Sequence, residues 1–207
     1  MGDKPEIVYK EINLPDDLKH KLAFVLENVL TPEECQWYID ETERRGYILA
    51  QVNTGVKQVT RTDIRNSSRN IWDSEEEAKK IWDRIKEFVP EVFSERRVMG
   101  LNERLRFLRY NPGEYFKPHE DGVYQRDNGE RSYITVQVYL NEGFVGGSTT
   151  FFSYRTKDSI PVVPKTGSVL VFQHDMLHEG STLLEGRKYT IRTDVMYSAQ
   201  RVPFTTQ

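Results

Sequence analysis

The chain has one cysteine, four histidines and four alanines among 207 residues, and each scarcity excludes something. The lone Cys35 excludes a disulfide framework and a cysteine-rich zinc module, and it is typical of a reducing compartment. Four histidines allow about one histidine-based metal centre. Alanine, the strongest helix former, is outnumbered by valine, isoleucine, threonine and the aromatic residues, which together number 69. The composition therefore favours strands over helices.

A strong charge of either sign is also missing. The formal net charge is −3 and the isoelectric point is near 5.9, which provides no basic surface for nucleic acid or an anionic membrane. Apolar runs are a few residues long, far below the ~20 residues of a membrane-spanning helix. The first ten residues lack the apolar stretch of a secretory signal. We therefore expect a soluble cytoplasmic protein that binds neither nucleic acid nor membrane, with its oligomeric state left open.

Two segments in the first half of the chain predict helices. Residues 31–46 begin with a capping box that has proline at the first helical position, and Gly46 ends the pattern. Residues 74–89 begin with a second capping box, formed by Ser74 and Glu77, and continue with apolar residues at helical spacing. The sequence thus predicts two amphipathic helices before residue 90.

After about residue 100 the pattern changes to short strands separated by turns. The candidates are residues 104–110, 132–140, 148–153, 168–172 and 187–197. Many short strands at this spacing predict a sandwich or a jelly-roll barrel. We expect a single, mainly β domain over residues 1–207, in which residues 1–99 supply helical support and residues 100–200 form the core, with the helices packed on one sheet.

Two of these strands are polar on one face. Thr135, Gln137 and Tyr139 alternate with aliphatic residues, and Lys188 and Arg192 belong to a similar polar face on the last strand. The simpler interpretation is that both polar faces meet solvent, as in many antiparallel sheets. The alternative is that they line a ligand cavity. The pattern alone slightly favours solvent.

A candidate metal site begins with His119 and Asp121, whose i, i+2 spacing on an extended segment puts both side chains on one face. A second histidine would complete the two-histidine, one-carboxylate set that holds Fe(II) and leaves positions open for substrate and O2. His174 and His178 are both candidates, and spacing does not choose between them. They also have the spacing of a zinc pair on a helix, but Gly180 and the preceding strand argue against a helix there.

A cation follows the histidines on the last predicted strand. Lys188 comes ten residues after His178 and lies on the polar face. A cation facing the same cavity is what a dicarboxylate co-substrate needs. Arg192 lies on the same face and is the rival for this role.

The order of these residues resembles the Fe(II)/2-oxoglutarate-dependent dioxygenases, in particular the prolyl 4-hydroxylase-like family. The resemblance covers about residues 100–197 and includes the strand and turn segments 139–149 and 163–172. It implies a double-stranded β-helix, the jelly-roll or cupin-like fold, with residues 100–200 as the dioxygenase core. The segment 1–99 would then buttress this core and contribute to a substrate rim.

The resemblance also assigns the site residues. His119, Asp121 and His178 are the implied iron ligands, which leaves His174 as a bystander and His20 on the surface. The residues implied to bind 2-oxoglutarate are Lys188, at its distal carboxylate, with Tyr139 and Tyr110. The implied cofactor is Fe(II), with 2-oxoglutarate and O2 as co-substrates and ascorbate as a candidate reductant.

The implied reaction is hydroxylation of an aliphatic C–H bond with release of succinate and CO2. A peptidyl proline and a small molecule are both open as the substrate. We expect the stretch 60–70 and the loop 123–131 to form the substrate rim. The candidate rim residues are Arg61, Arg65, Arg69, Tyr124 and Arg126.

Two other function classes compete with this prediction. One is a cupin-like metal enzyme with non-oxidative chemistry, which usually gathers more histidines around its metal and does not need Lys188. The other is a non-catalytic jelly-roll binding module in which the His119 and Asp121 spacing is accidental.

Overall fold

The computed structural model of the protein describes residues 5–53 and 58–202. Strands account for 43% of the described residues and helices for 15%. The helices are α1 (Pro32–Arg45) and α2 (Glu75–Ile85), and a short 3-10 helix, Lys86–Phe88, follows α2 directly. No helix in the described part of the chain is long and apolar enough to span a bilayer.

The strands of the described residues are short except for two. They are β1 Val8–Glu11, β2 Ala23–Glu27, β3 Ile48–Leu49, β4 Val52–Asn53, β5 Gln58–Val59, β6 Ser68–Asp73, β7 Val92–Phe93, β8 Arg96–Leu101, β9 Arg104–Tyr110, β10 Phe116–His119, β11 Arg131–Tyr139, β12 Val145–Gly146, β13 Thr149–Phe152, β14 Ser159–Val162, β15 Val169–Gln173, β16 His178–Gly180, β17 Leu183–Glu185 and β18 Lys188–Arg201.

These strands form a large and a small sheet that face each other. The large sheet has the order β1-β2-β15-β11-β18-β9-β6-β3, and β8 pairs with β18 and with β7. The small sheet has the order β10-β16-β13-β14. Two further pairs, β12 with β17 and β4 with β5, stand apart, and every strand pairing in the described residues is antiparallel.

Helix α1 begins and ends where its sequence predicts. The hydroxyl of Thr31 accepts the N–H of Glu34 at 3.2 Å, and the Glu34 carboxylate accepts the N–H of Thr31 at 2.9 Å, which completes the capping box. Gly46 follows the helix at a φ of +87°, a backbone conformation that glycine adopts without strain.

Helix α2 has only half of the predicted capping box. Ser74 accepts the N–H of Glu77 at 3.2 Å, as expected. The Glu77 carboxylate, however, accepts the hydroxyl of Tyr38 at 2.6 Å and forms an ion pair with Lys80, so it joins α2 to α1. A buried tyrosine hydroxyl needs a partner, and the carboxylate supplies it.

The helices cover one face of the large sheet, as predicted. Alternate residues of its central strands share a single core with both helices. That core contains Cys35, Tyr38, Ala78, Ile81, Ile85, Leu105, Phe107, Val136, Val138, Val169, Val171, Ile191 and Val195.

The opposite face of the large sheet is buried by the small sheet. The interpretation that this polar face meets solvent is wrong, because Thr135, Lys188, Thr190 and Asp194 are each 2% exposed or less. The two sheets also share an apolar core, in which Tyr139 and residues of β13 and β15 pack together. The polar residues therefore lie in the space between the sheets.

The N-terminal part of the chain contributes strands as well as helices. Strands β1, β2, β6 and β8 all belong to the large sheet. The arginine-rich stretch between the helices, which has no helical period, leads into β6, and β6 pairs along its whole length with β9. The segment 1–99 thus extends the sheet besides supporting it.

Candidate metal centre and its cavity

Two histidines and an aspartate converge between the sheets. His119 ends β10 and His178 begins β16, and the two residues are paired directly across the small sheet with ring centroids 4.4 Å apart. Asp121 lies two residues beyond β10, and its N–H donates to the carbonyl of His174 at 2.9 Å. One ligand atom from each of the three side chains lies within 4.8 Å of the other two.

Hydrogen bonds fix the tautomer of both histidines. The Nδ1 atom of His119 lies 2.7 Å from the carbonyl oxygen of Lys117, and that of His178 lies 2.8 Å from the carbonyl oxygen of Met176. A carbonyl can only accept, so each Nδ1 carries the proton and each Nε2 keeps a lone pair for a metal. Each Nε2 lies 3.8 Å from an oxygen of Asp121.

The protonation states also suit a metal. Burial lowers the pKa of His119 to about 4, and burial likewise holds the pKa of His178 below its ordinary value. Burial alone would raise the pKa of Asp121, but the nearby charge of Arg192 brings it well below its ordinary value. At neutral pH the cluster therefore offers two neutral imidazoles and one carboxylate.

The carboxylate of Asp121 is held on both sides. Thr135 donates to its Oδ2 at 2.5 Å, and Arg192 lies 2.9 Å from its Oδ1. Arg192 also lies 3.2 Å from Asp194, which in turn pairs with Arg106 at 3.1 Å. A buried carboxylate with these partners keeps one orientation.

Lys188 is buried in the same cavity without an acidic partner among the described residues. Its Nζ donates to the carbonyl of Gly147 at 2.6 Å and lies 5.1 Å from the ring centre of Tyr110 and 5.8 Å from that of Tyr139. Burial lowers its pKa to about 7. Because Arg192 is already engaged by two carboxylates, Lys188 rather than Arg192 has room for a carboxylate ligand.

A cavity lies next to this cluster, between the two sheets. Besides the metal cluster and the two cations of β18, its lining includes Arg65, Arg106, Leu108, Tyr110, Phe116, Gln137, Thr149, Glu179 and Gly180. The lining is therefore rich in hydrogen-bond donors and in positive charge.

The three arginines of the stretch 60–70 that were predicted for the substrate rim lie in different surroundings in the structure. Arg65 lines the cavity. Arg61 is exposed and forms an ion pair with Asp63 at 2.7 Å. Arg69 lies on β6, and its guanidinium group donates to the side chain of Gln51 at 2.9 Å. Neither Arg61 nor Arg69 is part of the cavity lining.

The loop after Asp121 does not bring its predicted residues into the cavity lining. Tyr124 is 40% exposed. Arg126 forms ion pairs with Glu103 and with Glu130, which anchors the loop to the turn between β8 and β9. Of the predicted rim residues, Arg65 is the one that the structure places beside the candidate metal ligands.

The remaining predicted residues lie as follows. Tyr110 lines the cavity, whereas the Tyr139 hydroxyl donates to Thr149 at 2.8 Å within the core between the sheets. His174 is buried outside the metal cluster, with its Nε2 3.4 Å from Asp194. His20 is exposed.

The sequence placed Thr135 and Gln137 on a polar face without giving either a specific role, and it did not single out Arg106. Thr135 donates to Asp121, Arg106 donates to Asp194, and Gln137 donates to Thr149 in the cavity wall. Thr190 lies two residues after Lys188 on the same strand face, and its buried hydroxyl has no hydrogen-bond partner among the described residues. The signal for Thr190 was its spacing from Lys188, because alternate residues of a strand share a face.

Residues 105–193 match the family model of the 2OG-Fe(II) oxygenase superfamily. This segment of the chain is therefore similar to members of that superfamily. The matched segment contains the metal cluster and all of the cavity-lining residues of β9, β11 and β18. This result confirms, over the matched segment, the resemblance predicted from the sequence.

The chain is also similar to known proteins. It is 27% identical over 188 residues to prolyl 4-hydroxylase 1 of Arabidopsis thaliana, a match that covers 80% of this chain and 65% of the plant protein. The chain thus spans just under two thirds of that relative's length.

Two solved structures share the fold. The viral collagen prolyl hydroxylase of Paramecium bursaria chlorella virus-1 gives a TM-score of 0.60 at 23% identity, over 85% of this chain and 96% of the viral chain. A prolyl-4-hydroxylase of Pseudomonas putida gives 0.65 at 20% identity, over 87% and 95% of the two chains. These matches confirm the predicted double-stranded β-helix.

Proposed function

We propose that this protein is an oxygenase that hydroxylates an aliphatic C–H bond, using Fe(II), 2-oxoglutarate and O2 and releasing succinate and CO2. The observation that carries the proposal is the convergence of two neutral imidazoles and one carboxylate beside a buried lysine that lacks an anion. This donor set suits Fe(II) and leaves coordination positions open. When bound, the iron with its co-substrates supplies the oxidising chemistry, and the protein supplies position and exclusion of water.

Each proposed ligand of the iron is held in a fixed orientation by its neighbours. His119 and His178 are fixed by carbonyl acceptors at Nδ1, and Asp121 is fixed by Thr135 and Arg192. Contacts of this kind raise metal affinity by limiting the motion of the ligands.

Lys188 is proposed to hold the distal carboxylate of 2-oxoglutarate as a charge-assisted pair. A buried ammonium group next to a carboxylate offsets the desolvation of both charges. The rings of Tyr110 and Tyr139 flank the ammonium group, and the unpaired hydroxyl of Thr190 is a further donor on the same strand face.

A peptidyl proline is the first substrate to test, since the relatives of known sequence and structure include proteins named prolyl 4-hydroxylase and prolyl hydroxylase. A small-molecule substrate is the alternative. Ascorbate is proposed as the reductant that keeps the iron in the ferrous state. A cytoplasmic location stays a prediction, which the single buried thiol of Cys35 favours.

The test is formation of succinate from 2-oxoglutarate by protein that was loaded anaerobically with Fe(II) and then exposed to O2. The substrate is identified as the peptide or metabolite that gains one oxygen atom. If the protein does not bind 2-oxoglutarate, the proposal fails, and the cupin-like or non-catalytic alternatives take its place.

The histidines provide a matched pair of variants for the metal centre. His178→Ala should abolish binding of Fe(II), because it removes one of three ligands. His174→Ala should largely retain it, since His174 contributes only a backbone carbonyl to Asp121. Metal content after dialysis measures the binding. If His174→Ala lost the metal and His178→Ala kept it, His174 rather than His178 would be the metal ligand.

A further inference from the structure

The cavity of the oxygenase contains more cations than its anions account for. Arg106 and Arg192 both contact Asp194, and Lys188 faces the proposed 2-oxoglutarate carboxylate. Glu179, a carboxylate of the cavity lining, accepts the hydroxyl of Ser181 at 2.8 Å and does not pair with Arg65. Arg65 forms no ion pair with any acidic group in residues 5–53 and 58–202. Fe(II) and the 2-oxoglutarate dianion would cancel each other's charge, so their binding leaves Arg65 without an anion.

The guanidinium group of Arg65 is nevertheless held in place. Its Nε donates to the hydroxyl of Ser67 at 3.0 Å, and its central carbon lies 4.6 Å from the ring centre of Phe116. An isolated β-bridge pairs the backbones of Arg65 and Phe116, and it fixes the backbone position from which the Arg65 side chain extends. Its Nη2 is buried and has no hydrogen-bond partner in the described residues.

The position of this unpaired donor is next to the metal ligands. Phe116 contacts the guanidinium group and also stacks on the ring of His119, with centroids 3.6 Å apart and planes 20° apart. Arg65 and His119 both line the cavity. A molecule that reaches the Arg65 guanidinium group therefore lies beside the proposed iron centre, where the primary substrate must bind.

The chemistry of the unpaired group specifies its ligand. A buried guanidinium N–H without an acceptor is unfavourable, and an arginine that served structure alone would be expected to pair with carbonyls or carboxylates of its own chain. A carboxylate matches the planar guanidinium group in shape and charge. The flat ring of Phe116 beneath the guanidinium group keeps its plane fixed, which favours such a planar partner.

We propose that Arg65 binds a carboxylate of the primary substrate, so that the molecule this oxygenase hydroxylates is an acid. The carboxylate belongs either to a small carboxylic acid or to an acidic residue beside the oxidised position of a peptide. The inference rests on the proposed function, because it assigns Lys188 to 2-oxoglutarate and leaves Arg65 for the substrate.

The test measures binding, which separates it from the catalytic proposal. The protein is loaded with Mn(II) and saturated with 2-oxoglutarate, so that the Lys188 site is filled and no oxidation occurs. Calorimetry then compares carboxylate probes with their amides: N-acetylproline with N-acetylprolinamide, and end-blocked Ala-Pro-Glu-Ala with Ala-Pro-Gln-Ala. We expect at least one carboxylate probe to bind about tenfold or more tightly than its amide, as for a hydrogen bond to a charged group.

Variants then assign the preference to Arg65. Arg65→Gln should bring the ratio of the two dissociation constants to about one while the 2-oxoglutarate dissociation constant stays within about twofold. Arg65→Lys should keep part of the preference, since it keeps the charge but loses the planar geometry. Arg61→Gln is the matched control, because this exposed arginine of the same stretch lies outside the cavity lining and should leave the ratio unchanged.

Three results would overturn the inference. One is that no carboxylate probe binds the wild-type protein more tightly than its amide. Another is that Arg65→Gln and Arg65→Lys both leave the preference intact. The third is that Arg65→Gln weakens 2-oxoglutarate as strongly as Lys188→Ala does, which would make Arg65 a residue of the co-substrate site. Absence of succinate formation would instead count against the proposed function.

Discussion

Lys188 is a buried ammonium group that the surrounding protein leaves without a carboxylate. Its polar contacts in the described residues are a backbone carbonyl and the faces of two tyrosine rings. The charged form of such a group loses its hydration, and its contacts with the protein do not replace the lost interactions. For this reason burial lowers the pKa of Lys188 to about 7. A carboxylate ligand would restore the charged form of Lys188, so we expect the proposed binding of 2-oxoglutarate to be coupled to proton uptake.

The first prediction concerns the pH dependence of this binding. Above pH 7 the free protein holds Lys188 increasingly neutral, so a dicarboxylate must bring a proton with it. Between pH 6 and pH 8 the 2-oxoglutarate dissociation constant of the Mn(II) protein should rise about tenfold. In Lys188→Arg, whose guanidinium group stays charged, it should change little.

Calorimetry in buffers of different ionisation enthalpy measures the proton uptake directly. We expect close to one proton per 2-oxoglutarate at pH 8 and much less at pH 6. A dissociation constant that is flat across this range in the wild-type protein would contradict the assignment of Lys188.

Tyr154 joins the two segments that carry the proposed iron ligands. Its hydroxyl donates to the Glu120 carboxylate at 2.6 Å and accepts the N–H of Leu177 at 2.9 Å. Glu120 lies between His119 and Asp121 in the sequence, and Leu177 immediately precedes the third proposed ligand. This single hydroxyl therefore bridges both parts of the centre.

The second prediction is that Tyr154→Phe weakens metal binding without abolishing it. Loss of a supporting contact typically costs about 10- to 100-fold in metal affinity. Competition with a metal chelator measures the affinity, and Tyr9→Phe, an exposed tyrosine on β1, is the control. An unchanged affinity in Tyr154→Phe would show that the two segments hold their geometry without this bridge.

At the residue scale, the sequence predicted site residues that lie within a few positions of each other better than partners that lie far apart in the chain. The i, i+2 spacing of His119 and Asp121 follows from strand geometry alone. The choice of His178 over His174 needed the family resemblance, and the structure brings His178 to the other two. The role of Arg192 at Asp121 was invisible because 71 positions separate the partners and the contact exists only once β18 lies beside β11.

At the scale of elements, the best-predicted strands are central ones with clear alternation. The expected strand at 104–110 coincides with β9, and those at 132–140 and 168–172 lie within one residue of β11 and β15. Strands β6 and β16 were missed, since their short polar sequences gain strand structure from their pairing partners. Pairing over long sequence distances is not encoded in local periodicity.

The turn before β15 contacts the segment that connects β2 to α1. The carbonyl of Gly167 accepts the N–H groups of both Val29 and Leu30 at 3.0 Å. Gly167 has a φ of +75°, and a Cβ atom there would lie 2.0 Å from the carbonyl oxygen of Leu30. The close approach of two backbones therefore requires glycine at this position.

The third prediction is that Gly167→Ala destabilises the protein more than Gly143→Ala. Gly143 also has a positive φ, +82°, but a Cβ atom there meets nothing within 4 Å. Backbone strain alone should cost about 1–2 kcal/mol in either variant, and the clash at Gly167 should add about 1–3 kcal/mol. Urea unfolding measures the difference, and equal midpoints would show that the Leu30 segment moves aside freely.

At the scale of the whole molecule, the two faces of the large sheet have different tasks. One face packs on the helices in an apolar core, and the other carries the charged residues of the cavity. The sequence predicted the first task but slightly favoured solvent for the second, because alternation alone does not reveal whether a polar face is covered. The predicted rim was also hard to place, since the loop carrying Arg126 folds back toward Glu103.

The final prediction follows from how the site is assembled. The proposed ligands and Lys188 come from β10 and the residues just after it, from β16 and from β18, which belong to both sheets, and the unfolded chain cannot bring them together. Ligands that bind only the folded state stabilise it, by about 2.7 kcal/mol at a hundredfold excess over the dissociation constant. For a chain of this size that corresponds to a rise of about 5–10 °C in Tm.

Thermal unfolding of one preparation with Mn(II), with 2-oxoglutarate, and with both tests this coupling. Mn(II) alone should raise Tm, and 2-oxoglutarate should add a further rise only when the metal is present, because its proposed binding involves both the metal and Lys188. His119→Ala should lose both increments, whereas Lys188→Ala should keep the first and lose most of the second. If 2-oxoglutarate stabilised the metal-free protein as strongly as the metal-loaded one, the co-substrate would bind away from the three-residue cluster, and the joint site between the sheets would be disproved.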